Sequence, residues 1–294
     1  MPIEKFLTQN LQSQERKSVT SLFNVDNLYV FNKLKSQEAE RTEWHERMIA
    51  LTTALIHDEC ERLGISDMIG PSSDRFIFLQ AEDYYQEIED DYEASAFYSP
   101  DRRFSVLNVD GPRTDLFAEQ MHESIHAHSF HSFMSLPEHT VLGCRRIGIA
   151  MEPPTQNARF TGANEAVTER LRLKLCRDHQ DDIQKTMEFT DEEITEVIRG
   201  KSYPRFIELL DLINDRIADE NHTTRDEIWD MWTKAMITGE MMSLRQVERV
   251  WGEGSLRILS MLGYDKKIDA KVFKFFGTMS HDAAEKIRRE LLDL

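Results

Sequence analysis

Cysteine is scarce in this chain of 294 residues, which contains only Cys60, Cys144 and Cys176. Their number is odd, they lie far apart in the sequence, and no two of them form a CxxC pair. Disulfide-rich secreted domains and thiolate zinc sites depend on cysteines that are paired or closely spaced. The cysteine pattern therefore argues against both classes and favours a protein of a reducing compartment.

Long apolar runs are missing as well. The longest one, residues 48–56, includes two threonines, whereas a bilayer-spanning helix needs about 20 mainly apolar residues. The amino-terminal residues MPIEKFLTQNLQSQERK lack the apolar core of a secretory signal peptide. We therefore predict a cytoplasmic protein that has no membrane partner.

Glycine and proline are few, with 12 and 8 residues, while 40% of the residues are hydrophobic. This composition is typical of a globular protein that is rich in helix. Lysine and arginine number 36 against 53 aspartates and glutamates, which gives a formal net charge of −17. Because so acidic a surface repels phosphate backbones, we expect no nucleic-acid partner.

Segments with the character of β-strands occur within about residues 74–110. A compact apolar run at residues 76–79 predicts a buried strand, and residues 96–98 and 104–109 flank a turn rich in proline and aspartate, which predicts a hairpin. The strand at 104–109 could be a sheet edge that pairs with an extended peptide, or it could be paired within the sheet.

Helical spacing of apolar residues dominates the rest of the chain. Residues 36–63 predict one long helix, Thr114 can cap a helix that runs to about Met134, and residues 135–163 are expected to be irregular. A further helix begins at Asn164. The remaining predicted helices lie at 190–199, 203–219, 224–238, 243–262 and 280–293.

The motif that carries chemistry is His122-Glu123-Ser124-Ile125-His126. On a helix, residues four apart share one face, so the two imidazoles can occupy adjacent corners of a tetrahedral zinc site. Glu123 lies about 100° round the helix from His122, so it can reach a water on the metal without being a ligand. In that position it can act as general base while the water attacks a carbonyl.

The surroundings of the motif favour a metal-binding helix. Phe117, Met121 and Ile125 form an apolar stripe on the side away from the histidine pair, so the stripe can anchor the helix while the pair faces elsewhere. The alternative interpretation is an ordinary amphipathic helix that carries two surface histidines.

A catalytic zinc site needs a third protein ligand and an open fourth position. His128 and His131 lie about 240° and 180° from His122 around the helix, so neither can join the same metal. We interpret His128 as a core histidine and His131 as a core or surface residue. The longer HExxHxxGxxH pattern is also missing, because positions 129 and 132 are both serine.

Better candidates for the third ligand lie on the next predicted helix. Glu165 and Glu169 share one helix face, one turn apart. One of them can ligate zinc while the other accepts a hydrogen bond from the outer nitrogen of a ligating histidine, which fixes the tautomer of that histidine. Spacing alone equally allows both to be solvated surface acids.

HESIH followed by NEAVTE at residues 164–169 resembles the gluzincin metallopeptidases, the thermolysin-like group. The resemblance covers about residues 96–170, including the hairpin AFYSPDRRFSVLN, which is similar to that of small bacterial proteins with this layout. It implies that Glu165 is the third ligand of one zinc ion per chain and that Glu169 supports a histidine. The chain has no visible signal or pro-segment such as secreted relatives carry, which argues against a digestive role.

The oxyanion formed during such a reaction needs a hydrogen-bond donor opposite the metal. Tyr203, at the start of a predicted helix, is the candidate that we choose, although a packed aromatic residue at a helix start would give the same pattern. His222 is a lesser candidate for this role. Arg159 could meet a substrate carboxylate or could be an ordinary surface arginine.

Together these observations predict an α+β fold, in which a zincin-like lobe with a small β-sheet and the HExxH helix is joined by an all-helical C-terminal lobe. The predicted parts are an N-terminal helical segment at 1–73, a catalytic core at 74–180 and the helical lobe at 181–294.

The predicted function is zinc-dependent hydrolysis of peptide bonds in a peptide or protein substrate. The alternatives are a non-catalytic, zinc-stabilised interaction or regulatory protein, and a helical scaffold with an accidental motif. The sequence leaves the oligomeric state and the cleavage specificity open.

Overall fold

The computed structural model describes an α+β protein that is mostly helical and contains two small β-sheets within the described residues. This confirms the predicted fold class at that level. The described residues are 29–66, 70–87, 95–135, 142–151, 158–200, 202–263, 265–278 and 281–292.

The first sheet has the strand order β1-β3-β2, formed by β1 (Phe76–Leu79), β2 (Ala96–Ser99) and β3 (Phe104–Asn108). β1 pairs with β3 in parallel, and β2 and β3 form the predicted antiparallel hairpin. β3 is therefore the central strand. Of the two possibilities for residues 104–109, the structure selects pairing within the sheet.

One face of this sheet is covered by two short helical segments. Ile77, Leu79, Phe104 and Val106 alternate along their strands and so point to the same side, where they form one buried cluster. Leu34, from the helix at residues 29–36, and Tyr84, from α2 (Ala81–Glu87), complete that cluster. The long helix predicted at 36–63 is shorter than expected, as α1 spans Glu43–Arg62.

The helix that carries the histidines is α3 (Arg113–His128), which packs against β2 and β3. The prediction that it runs to about Met134 is wrong, because Ser129 has extended backbone and its hydroxyl donates to the Ile125 carbonyl at 2.8 Å. That contact satisfies a carbonyl of the last turn, and residues 131–135 then form strand β4 (His131–Ser135).

A second sheet has the order β4-β5-β6, with β5 (Leu142–Ile147) and β6 (Ala150–Met151) in an antiparallel pair. The expectation that strands occur only at about 74–110, with 135–163 irregular, is therefore wrong. Gly148 and Ile149 form the two-residue turn of the β5–β6 hairpin, and Gly148 has φ +56°. The strands are short and do not alternate apolar with polar residues, so periodicity could not reveal them.

After β6, the secondary structure of the described residues is helical, as predicted for the C-terminal lobe. The one exception among them is an isolated β-bridge at Arg159. The predicted helix at 243–262 is broken, because Gly252 and Gly254 adopt positive φ angles. The helices are α4 (Thr161–Asp178), α5 (Gln180–Met187), α6 (Asp191–Arg199), α7 (Pro204–Asn221), α8 (Arg225–Thr238), α9 (Gln246–Trp251), α10 (Ser255–Leu259), α11 (Lys266–Gly277) and α12 (His281–Leu292).

The chain divides into two compact units. One contains Met1–Cys144 and Arg172–Gly200, and the other contains Arg145–Leu171 and Lys201–Leu294. Within the parts that the structure describes, no helix combines the length and the apolar character that crossing a bilayer requires.

Two tryptophans of α8 are held by side chains of α7, each across the same spacing of 18 residues. The Trp232 Nε1–H donates to Asn214 Oδ1 at 2.8 Å, and both residues are fully buried. The Trp229 Nε1–H donates to Asp211 Oδ1 at 2.9 Å, but the Asp211 side chain is 30% exposed. The second pair therefore has access to water and the first does not.

We expect Asn214→Ala to lower the free energy of unfolding by about 1–3 kcal/mol, because it leaves a buried indole N–H without an acceptor. Asp211→Ala is the matched control and should cost less than about 1 kcal/mol, since water can replace the carboxylate. Urea unfolding followed by tryptophan fluorescence measures both. Equal losses in the two variants would contradict this account.

Candidate metal centre

The two histidines of the motif face each other on α3. Their Nε2 atoms lie 3.1 Å apart, and His122 and His126 are 9% and 6% exposed. Two imidazole nitrogens on one tetrahedral zinc, each at about 2.0–2.1 Å from the metal, stand about 3.3–3.4 Å apart. The separation of the pair is therefore within about 0.3 Å of that expected for two adjacent corners of a zinc site.

The apolar stripe anchors this helix as predicted. Phe117, Met121 and Ile125 are all fully buried. The Cys176 Sγ of α4 lies 3.6 Å from the Met121 Sδ, so the stripe on α3 packs against α4. With that side held in the core, the rotation of α3 about its axis is set, and so is the direction of the histidine pair.

Glu165 joins the pair. One ligand atom from each of His122, His126 and Glu165 lies within 4.8 Å of the others, and among the described residues this is the only such group of three. Glu165 is partly buried, whereas the histidines are buried. Two imidazole nitrogens and one carboxylate oxygen are donors that suit zinc in a catalytic site. These three residues can therefore hold a metal ion.

Asn164 positions Glu165 from the amino-terminal side. Its Oδ1 accepts a hydrogen bond from the Ile149 N–H at 3.0 Å, and the residue is 1% exposed. Gly148 lies against it, because a Cβ at this glycine would come 2.4 Å from Asn164 Oδ1. The β5–β6 turn thus fixes the start of the helix that carries the third ligand. Sequence reasoning placed Asn164 at a helix start but did not reveal this contact.

Glu169 lies one turn after Glu165 and is 1% exposed. Its Oε1 accepts a hydrogen bond from the Ser202 N–H at 3.0 Å. The neighbouring Thr168 is also buried, and its hydroxyl lies 3.4 Å from the Met236 Sδ. Glu169 is therefore a buried, hydrogen-bonded carboxylate, and the interpretation of both glutamates as solvated surface acids is not what the structure shows. Its support of a histidine stays a prediction.

Glu123, the predicted base, is 9% exposed, and another acidic residue of α3, Glu119, interacts with it. Burial raises the pKa of Glu119, one turn earlier on α3, and the charges of Asp115 and Glu123 raise it further, although a hydrogen bond from the Ser95 hydroxyl lowers it. Burial also raises the pKa of Tyr84, with added contributions from Glu123 and Glu119. Sequence reasoning missed Glu119 and Tyr84, although the four-residue spacing of Glu119 and Glu123 indicates a shared face.

The predicted oxyanion donor, Tyr203, is the residue that precedes α7. It is 42% exposed, has φ +54°, and its ring is stacked on Phe206 with centroids 6.2 Å apart. His222, the lesser candidate, caps the opposite end of the same helix. The catalytic role of Tyr203 stays a prediction.

Arg159, proposed for a substrate carboxylate, forms a two-way backbone bridge with Met151, with both N···O distances 2.8 Å. Its guanidinium lies 3.5 Å from the Ser260 Oγ. Arg159 is partly buried, and its role at a substrate carboxylate stays a prediction.

The other two histidines near the motif are outside the ligand group, as predicted. His128 and His131 are buried, and their Nδ1–H groups donate to the carbonyls of Ser124 at 2.6 Å and Ser129 at 2.7 Å. No described residue is a hydrogen-bond partner for either Nε2 atom. Burial lowers the pKa of His128 to about 4 and that of His131 to about 3.

Comparison with known proteins yields no matching family model, no matching curated sequence and no matching solved structure. The likeness to gluzincins therefore consists of the motif residues themselves.

We expect Gly148→Ala to destabilise the fold and to weaken metal binding by the group of His122, His126 and Glu165. Alanine at φ +56° costs about 1–2 kcal/mol, and the overlap with Asn164 adds about 1–3 kcal/mol. Gly64→Ala is the control, since Gly64 has φ +75° but no atom within 4 Å of its Cβ position. It should show only the backbone cost and leave metal binding unchanged. Thermal unfolding and zinc titration measure both effects, and equal behaviour of the two variants would count against the Asn164 contact.

Acidification should destabilise the protein through its buried histidines. A folded-state pKa below the unfolded value means that the unfolded chain binds more protons, so stability falls as pH falls below about 6.5, by up to about 1.4 kcal/mol per pH unit for each histidine. His131→Phe removes one of these groups and should give a shallower loss between pH 6.5 and 4. Urea midpoints across this range test the prediction, which an unchanged slope would contradict.

Proposed function

We propose that the protein is a zinc metallopeptidase with a zincin-like lobe, in which His122, His126 and Glu165 bind the metal and Glu123 is the general base. The observation that carries this proposal is the convergence of the three ligand atoms within 4.8 Å. The buried Glu123 lies beside His122 on α3. The β2–β3 hairpin followed by α3 supports the zincin-like layout. The three widely spaced cysteines suit a reducing compartment such as the cytoplasm.

The chemistry follows from the donor set. When bound, zinc would polarise a peptide carbonyl and lower the pKa of a water molecule towards neutrality. Glu123 would take the proton of that water as its oxygen adds to the carbonyl carbon. The same carboxyl group would then give the proton to the leaving amine nitrogen as the C–N bond breaks. One water is consumed, and one carboxylic acid and one amine are formed.

The position of Glu123 suits a base better than a ligand. It follows His122 directly on α3, so it points about 100° away from that histidine. It is 9% exposed, and restricted access of water strengthens its electrostatic interaction with a positively charged centre. The nearby Glu119 lies one turn before Glu123 on α3 and takes no part in the proposed steps.

A structural zinc site is the strongest alternative. Structural sites use four protein ligands, whereas the group found among the described residues contains three. Three ligands leave one position for water and substrate, which favours catalysis. Zinc removal distinguishes the two functions, because it would unfold a zinc-stabilised module but only inactivate an enzyme.

We expect Glu123→Gln to retain zinc while peptide cleavage falls by about 10²–10⁴-fold, because glutamine cannot accept the proton. Glu119→Gln is the matched control, on the same face one turn away, and should keep activity within about tenfold. Elemental analysis gives the zinc content, and mass spectrometry of a digested peptide library gives the cleavage rate.

Wild-type cleavage by Glu123→Gln would show that the assigned base is wrong. Stoichiometric zinc without any cleavage by the wild-type protein would favour the structural alternative.

A further inference from the structure

The carboxylate of Glu169 is hydrogen-bonded to the backbone of the turn that precedes α7. It is 1% exposed and accepts the Ser202 N–H at 3.0 Å. A carboxylate this deeply buried is costly unless it is hydrogen-bonded, so this backbone donor contributes to keeping it in place. Glu165, Glu169, Ser202 and Tyr203 all belong to the same compact unit.

The turn that supplies this donor is strained. Tyr203 adopts φ +54° and ψ +38°, a left-handed conformation that L-residues rarely adopt, and the proline that follows disfavours helical backbone at this position. The tyrosine is 42% exposed, so burial of its ring does not explain the strain. Its carbonyl accepts the N–H groups of Phe206 and Ile207 at 3.0 and 3.2 Å, which starts α7.

Strained backbone persists only where the surrounding structure demands it, and such residues concentrate at functional sites. Here the strained residue directly follows the one whose N–H reaches Glu169. Glu169 in turn lies one helical turn from a candidate metal ligand. An extended backbone at Tyr203 would change the direction in which the chain enters α7 and would move the Ser202 N–H away from the carboxylate.

We propose that the Ser202–Tyr203 turn is a positioning element of the metal centre, in which the left-handed backbone of Tyr203 holds the Ser202 N–H on Glu169 and so fixes the helix face that presents Glu165. This role rests on the metal-binding part of the proposed function and does not depend on peptidase activity. It uses the backbone of Tyr203, so the phenol group is dispensable for it.

The test measures zinc affinity of the purified full-length chain by competition with a chromophoric chelator. Ser202→Pro removes the N–H donor, and Tyr203→Val places a β-branched residue where left-handed backbone is required. Both should bind zinc about tenfold more weakly, the lower end of the loss seen when a ligand's own hydrogen-bond partner is removed, because Ser202 acts on the ligand helix through Glu169. The visible absorption spectrum of the cobalt-loaded protein should change in the same two variants.

Four variants serve as controls and should bind zinc within about threefold of wild type. Ser202→Ala keeps the N–H, Tyr203→Phe keeps the ring without the hydroxyl, and Tyr203→Gly tolerates positive φ. His222→Val places the same strain, at φ +54°, at the other end of α7. The proposal is supported if zinc affinity depends on how well the residue at 203 tolerates a positive φ angle and does not depend on the chemistry of its side chain.

Wild-type zinc affinity in folded Ser202→Pro or Tyr203→Val would overturn this role and leave the metal ligands untouched. An equal loss in His222→Val would also overturn it, because general destabilisation would then explain the effect. A wild-type chain that fails to bind zinc would overturn this role and the proposed function together, whereas zinc binding without cleavage would affect only the peptidase assignment.

Discussion

The approach of two buried imidazole nitrogens to 3.1 Å is the constraint on which this site depends. Lone pairs at that distance repel unless a proton or a cation lies between them, and burial removes the water that would otherwise screen them. A carboxylate oxygen within 4.8 Å adds negative charge to the same place. One divalent cation can be bound by all three groups at once, because each residue offers one ligand atom to the same place.

The chain holds these groups in place through contacts from several separate segments. The apolar side of α3 is fixed in the core, the amino terminus of α4 is bonded to a tight hairpin turn, and Glu169 on α4 is bonded to the turn before α7. A site assembled in this way exists only in the folded chain. Metal affinity and fold stability are therefore linked, and damage to a supporting turn should be measurable at the metal.

Side-chain periodicity predicted those parts of the protein in which residue type determines structure. The spacing of His122 and His126, the stripe behind them and the hairpin before them all follow from such patterns, and the NEAVTE element identified Glu165. The end of α3 was mispredicted because Phe130 and Phe133 continue the apolar character of the helix, whereas the Ser129 hydroxyl ends it. The supporting contacts at Ile149 and Ser202 use backbone N–H groups. Almost every residue type has such a group, so the sequence does not indicate these contacts.

The most direct test of the central claim is zinc-edge X-ray absorption of the purified chain, combined with elemental analysis. The account predicts one zinc per chain, coordinated by two imidazole nitrogens and by oxygen, with no sulfur ligand. It also predicts that Glu165→Ala loses most of the bound metal. A wild-type chain without stoichiometric zinc, or with zinc that does not depend on Glu165, would contradict the account.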